Sequence, residues 1–440
     1  MDRKQFFRKK RRVCTAGLVG TVLFMILCGC GKKEAVFTME NENTEISGNG
    51  TVSGNGTVSA NGMVSGNDAG VSENTAEPVK VKGIYVSGAI AGHERMDELI
   101  GLVDETELNT LVIDVKNDDG RVTYHMDSKQ VQEIGASTNL IGDIDGLVQK
   151  CKEKNIYLIA RVVAFKDPYL AEKKPVLCVK KKTGEMFRDK NGLAWVNPYR
   201  KEVWDYLVEI SAQAAEDGFD EIQFDYIRFS TDLKADQLDF GPEAENKSRT
   251  AVITEFTEYA YDALSPLGVK VSADVYGTII QNRIDQDLVG QRYRDMARHL
   301  DYICPMVYPS HYGPGNFGLA VPDAQPYETI LAAMNQSKEE LDRIPEKNRA
   351  GVRVWLQAFT AKWVKGHISY GTDEIREQIH GAYDAGYEEW ILWNAAVNYK
   401  RETLLTEEEA AEEVRLWEEE KEAAKQETKE EAQTNVSGNG

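Results

Sequence analysis

Cysteine and histidine are scarce in this chain, six of each among 440 residues. No C-x-x-C or H-x-x-x-H spacing occurs among them, so the sequence gives no support for a zinc site, and neither a metal nor another cofactor is expected. Three cysteines fall within the first 30 residues, which leaves Cys151, Cys178 and Cys304 for the folded part. Cys151 sits in a helical pattern and Cys304 in an apolar strand, so both read as small buried hydrophobes rather than as a disulfide framework. A G-x-S-x-G elbow is missing and no Cys–His pairing replaces it, which removes support for an esterase or amidase. No glycine-rich loop opens a helix, as a nucleotide or phosphate site requires. Basic residues are in deficit: 52 Lys and Arg against 72 Asp and Glu give a net charge of −20. Such a field opposes nucleic acid as a partner.

Long apolar runs are also rare, and the one at residues 16–27, AGLVGTVLFMIL, follows the basic RKKRR of residues 8–12. A basic stretch before an apolar run too short to span a bilayer comfortably is an export signal. It ends in LCGC, residues 27–30, which resembles the bacterial lipoprotein signal and makes Cys30, preceded by the small Gly29, the better candidate for the lipidation site than Cys28. The protein is therefore expected outside the cell, anchored by lipid to the outer face of the bacterial membrane, with residues 1–30 as the lipoprotein signal. In residues 46–68 the unit V-S-G-N-G-T recurs, and NVSGNG ends the chain. So much Gly, Ser and Asn cannot bury enough apolar surface to offset ordering entropy, and residues 31–80 read as a disordered tether. At the other end residues 401–440 read as an acidic helical tail with a disordered end, an exposed spacer laced with i,i+4 Glu and Lys pairs.

Between them, residues 81–400 alternate apolar strands with amphipathic helices. The strand pattern recurs eight times, at 82–88, 110–117, 156–165, 221–229, 269–277, 301–309, 352–359 and 388–395. Apolar strands separated by helices call for a covered parallel sheet, and eight of them call for closure. The expected fold class is α/β, a single (β/α)8 TIM barrel. An insertion after the third strand carries Thr183-Gly184, which suggests a hairpin.

Polar residues are out of place in such strands, yet most strands end with them: Asp114 and Lys116, Arg161, Asp225 and Arg228, Asp274 and Tyr276, Tyr308, Gln357, and Trp393 with Asn394. Active sites of barrels lie at the carboxyl ends of the strands. Strand parity puts Asp114 with Lys116, and Asp274 with Tyr276, on shared faces. Tyr85, Trp195, Tyr276, Tyr308, Trp355 and Trp393 ring this floor, and aromatic faces among carboxylates and amides suit a sugar. His311, in the MVYPSHY stretch, joins the substrate-binding set. Glycoside hydrolysis uses two carboxyl groups. Asp225 and Asp274, on neighbouring strands, are the expected catalytic pair, Asp225 as nucleophile or base and Asp274 as acid. Arg228 is expected to hold Asp225 ionised, and Asp114 to be tied to Lys116 or Arg161.

Through KGIYVSG, LVIDVKND, WVNP, EIQFDYIRF, SADVYG and MVYPSHY, residues 81–399 resemble the putative glycosyl hydrolase family of bacterial envelope proteins, a barrel group. The stretch DGFDEIQFDYIRF, residues 217–229, is also similar to the D-G-F-D-G-I-D-I-D-W-E-Y-P strand of glycoside hydrolase family eighteen. Asp217, Asp220 and Asp225 match it, Gln223 replaces a carboxylate, and Ile227 stands where that family has its acid. The resemblance implies a glycoside hydrolase acting on an envelope or extracellular polysaccharide. The competing reading is a glycan-binding barrel without catalysis, which the absence of that glutamate favours.

Overall fold

The apolar strands pair in parallel. The computed structural model describes residues 79–232 and 235–437, so the expected lipid site and most of the expected tether lie outside the described residues. The strands are β1 Lys82–Val86, β2 Thr110–Lys116, β3 Tyr157–Val163, β4 Glu221–Asp225, β5 Lys270–Tyr276, β6 Tyr302–Met306, β7 Val354–Gln357 and β8 Trp390–Trp393. Each pairs in parallel with the next, and β1 pairs with β8. The ring closes where β7 meets β6 at Trp355 and Met306, and where Gly351–Val352 pairs with Tyr302 and Ile303. This is the expected (β/α)8 barrel.

Helices cover the outside: α1 Arg95–Asp104, α2 Ile144–Glu153, α3 Lys201–Glu216, α4 Arg249–Leu264, α5 Pro326–Leu341 and α6 Thr372–Asp384. α3 buries Val203, Trp204, Leu207, Ile210 and Ala214, the i, i+3, i+4 and i+7 spacing of a helix with one apolar face. Thr183-Gly184 does lie in a turn, with Lys180 bridged to Met186 and Gly184 at φ 88°. Lys180–Lys181 also pairs with Leu238–Asp239, a long-range contact that no local pattern announces.

Three departures from strict strand periodicity redirect charged side chains. β2 shifts register against β3, so that Asp114 pairs with Arg161 but Lys116 pairs with Val162. Successive residues face opposite sides of a sheet, so this bulge gives Lys116 the opposite face to Asp114. The fourth strand ends at Asp225 rather than running to residue 229, because Tyr226 takes a left-handed φ of 49°. The seventh is interrupted at Arg353, whose side chain turns to Glu221 and Glu389 at the amino end of the barrel.

The acidic tail is helical, α7 Glu407–Ser437, but its first half is not a free spacer. Glu413 bonds to Arg376, Trp417 stacks on His380 with centroids 4.2 Å apart, and Trp417 and Lys421 both donate to Asp384. The tail thus docks on α6. Among the described residues, no helix is long and apolar enough to cross a membrane.

Candidate active site

Side chains from the carboxyl ends of six strands, with the loops that extend from them, enclose a cavity of about 230 Å³. Asp118, Arg161, Asp225, Tyr226, Arg228, Asp274, Tyr276, Met306, Tyr308, His311, Trp355 and Trp393 line it. The pairing that sets Phe224 opposite Ala273 carries one residue further to Asp225 and Asp274, which therefore stand level on adjacent strands. Asp225 and Asp274 are 7% and 2% exposed.

The two carboxyls are held differently. Asp225 Oδ2 accepts two bonds from Arg161, from Nε at 3.0 Å and Nη2 at 2.6 Å. Its Oδ1 accepts the Tyr226 backbone N–H at 2.5 Å, a contact that the left-handed turn at Tyr226 makes possible. Asp274 has no cationic partner among the described residues; Trp355 Nε1 donates to its Oδ1 at 2.6 Å. Burial, reinforced by the charge of Asp225, pushes the Asp274 carboxyl well above the usual range, with the Trp355 bond and Arg161 opposing. Two carboxyls in unlike surroundings are the arrangement that separates an acid from a nucleophile or base.

Beneath them, Arg161 also donates to Asp114 at 2.6 Å and meets Asp118 at 3.4 Å. Burial opposes its charge, but these carboxylates hold the guanidinium well above its ordinary range. Tyr85 donates to Asp114 at 2.6 Å and packs at a tilt against Trp393, ring centroids 4.2 Å apart. Burial raises the Asp114 carboxyl, against the pull of Arg161 and Tyr85. Asp114 is therefore tied to Arg161, as one of its two expected partners, and with Tyr85 forms a layer under the cavity. Burial also lowers His311, favouring the neutral imidazole.

Of the expected residues, the cavity gathers Arg161, Asp225, Arg228, Asp274, Tyr276, Tyr308, His311, Trp355 and Trp393. Lys116 is elsewhere: its Nζ bonds to the Val163 carbonyl at 2.7 Å and to Asp167 at 2.9 Å, the consequence of the β2 bulge. Gln357 braces loops, its amide accepting from Ser310 N and donating to Asp323 and the Phe359 carbonyl. Asn394 likewise donates to the Ala358 carbonyl at 2.6 Å and lines a neighbouring cavity of about 190 Å³. Trp195 comes from the insertion, donates to Asp189 and meets Tyr226 edge-on; it lines a smaller adjoining pocket. Arg228 does not reach Asp225. Beyond Tyr226 the chain has left the strand, and its guanidinium lies against Tyr276, Tyr226 and Trp195. Ile227 is fully buried.

Strand-end reasoning missed Asp118, Tyr226 and Met306. Asp118 lies past the end of β2, and the signal for it was the acidic pair Asp118-Asp119 directly after a catalytic-type strand. Among the described residues, no group of three or more His, Cys, Asp and Glu is placed to hold a metal ion.

A family model described as "Putative glycosyl hydrolase domain" matches residues 83–399. No curated protein matches the chain. Among solved structures, the PgaB (BpsB) glycoside hydrolase domain from Bordetella bronchiseptica is 14% identical with a TM-score of 0.53, over 72% of this chain and 94% of that one. A hypothetical protein from Ruminiclostridium thermocellum is 41% identical with a TM-score of 0.41, over 44% of this chain and 97% of that one.

Proposed function

Because the chain belongs to the putative glycosyl hydrolase domain family, and is a glycoside hydrolase-like TIM barrel, we propose that it cleaves a glycosidic bond by a two-carboxylate mechanism with Asp274 as acid and Asp225 as nucleophile or base. The observation that carries this reading is the level pair itself, one carboxyl gripped by a guanidinium and the other held only by an indole N–H. Asp274 donates its proton to the leaving oxygen as the C1–O bond breaks. Asp225, supported by Arg161, either attacks C1 or takes the proton of the water that does. The cavity walls of Tyr276, Tyr308, Trp355 and Trp393 offer ring faces for pyranose C–H groups.

The substrate is a polysaccharide of the cell envelope or the surroundings, and the enzyme is tethered to the outer face of the membrane through Cys30. The basic stretch, the short apolar run and LCGC support that placement.

Incubation of the soluble form, residue 81 onward, with a panel of polysaccharides should release new reducing ends. Asp225→Asn and Asp274→Asn should each lower the rate by about a thousandfold or more. Full activity in both variants overturns the pair. Binding of a glycan by the wild type without any new ends makes the barrel a binding module instead.

A further inference from the structure

Among the described residues, four arginines are at least nine-tenths buried: Arg161, Arg228, Arg353 and Arg376. Three of them have two or more acidic partners. Arg161 meets Asp114, Asp118 and Asp225, Arg353 meets Glu221 and Glu389, and Arg376 meets Glu107 and Glu413. Arg228 has none among the described residues. Its Nη1 donates to the Phe229 carbonyl at 2.9 Å, and its Nε and Nη2 edge bonds to no group among those residues.

The guanidinium is held instead by rings, 4.5 Å from the centroid of Tyr276, 5.0 Å from Tyr226 and 5.1 Å from Trp195. Ring faces attract a desolvated cation through their quadrupoles, but they do not neutralise its charge. They also fix the direction in which the free edge is presented. Arg228 lines the same cavity as Asp225 and Asp274, so a group bound there lies beside the scissile bond.

The nearby carboxylates are engaged elsewhere. Asp114, Asp118 and Asp225 share Arg161, Lys166 stands 3.8 Å from Asp118, and none of the three forms an ion pair with Arg228. We propose that the counter-ion of Arg228 is supplied by the substrate, and that the enzyme acts on an acidic glycan whose sugar carries a carboxylate next to the bond to be cut. The Nε–Nη2 edge is a planar fork that matches a carboxylate with two parallel hydrogen bonds. A neutral sugar leaves that edge unmatched.

This rests on the glycoside hydrolase reading, and the test separates the two. A carboxylated oligosaccharide is compared with the same compound after reduction of its carboxylates to hydroxymethyl groups, and with a sulfated neutral analogue, using the full-length protein. Both kcat/KM and calorimetric affinity are measured. The wild type should favour the carboxylated compound over the reduced one by about tenfold to hundredfold. Arg228→Gln should bring that ratio close to one, and Arg228→Lys should restore part of it. Equal preference in the wild type overturns the proposal, as does an unchanged ratio in Arg228→Gln. Tighter binding of the sulfated analogue overturns the carboxylate assignment. If carboxylated compounds bind selectively but none is cut, the hydrolase reading fails while the anion site stands.

Discussion

Asp274 is buried with its proton held by the surroundings, and this has two separable effects. As the acid it must be protonated, so kcat/KM should fall as pH rises through its raised pKa. The Trp355 bond favours the ionised form; removing it in Trp355→Phe should therefore move the basic limb of the pH–rate profile to higher pH, and an unmoved limb would argue that Asp274 is not the acid. In the unfolded chain Asp274 ionises near its ordinary pKa, whereas the folded protein retains the proton. Between those two values the unfolded state binds fewer protons, so stability falls as pH rises. Asp274→Asn removes that loss, and its thermal midpoint at neutral pH should equal or exceed that of the wild type. Asp225→Asn differs, because it takes a buried partner from Arg161, and it should cost about 3 kcal/mol even as it stops hydrolysis. Both catalytic candidates could be read from the sequence, since each is a charged residue in a strand with no structural reason to be there. Arg228 was legible as a site residue, but its environment was not: a single left-handed residue, Tyr226, turns it from Asp225 to the aromatic rings.

Strand by strand, the apolar runs between helical patterns located all eight walls of the barrel, since burial on both faces demands long apolar runs. They could not locate the bulge in β2 or the break at Arg353, because each depends on a partner distant in sequence, nor the early end of β4, which follows from the left-handed backbone of Tyr226. The acidic tail shows the same limit. Its charge suggested a solvated helix, but Trp417 in so polar a run was the sign of a docked face, and it packs on His380. Burial works against the Glu413 carboxylate, yet His380 and Arg376 bring it down to about 2. A depressed carboxyl contributes stability that is complete above its unfolded pKa of about 4.5 and is lost as pH falls toward 2. α7 should therefore undock over that interval, seen as new protease cleavage between β8 and α7, and Glu413→Gln should cleave similarly at neutral pH. Cleavage that is the same at neutral pH and in acid would show that this ion pair does not hold the helix.

Across the molecule, the candidate site and the most extensive buried ion-pair cluster of the strands' amino ends lie at opposite ends of one barrel. The carboxyl ends carry the cavity, while the amino ends carry Arg353, bonded to both oxygens of Glu221 and to Glu389, with Ser272 donating to Glu221 at 2.5 Å. Arg353→Met leaves Glu221 buried without its cation and should cost about 3–5 kcal/mol. The folded fraction should keep its kcat/KM; a matching loss of rate would mean that the two ends are coupled. The docked tail bears on how the protein can be divided. Composition suggests trimming the chain near residue 400, where the strands are complete. Such a fragment would uncover the His380 ring and strip Arg376 of one carboxylate and Asp384 of its lysine, so a soluble, well-behaved preparation needs its carboxyl terminus placed beyond Lys421.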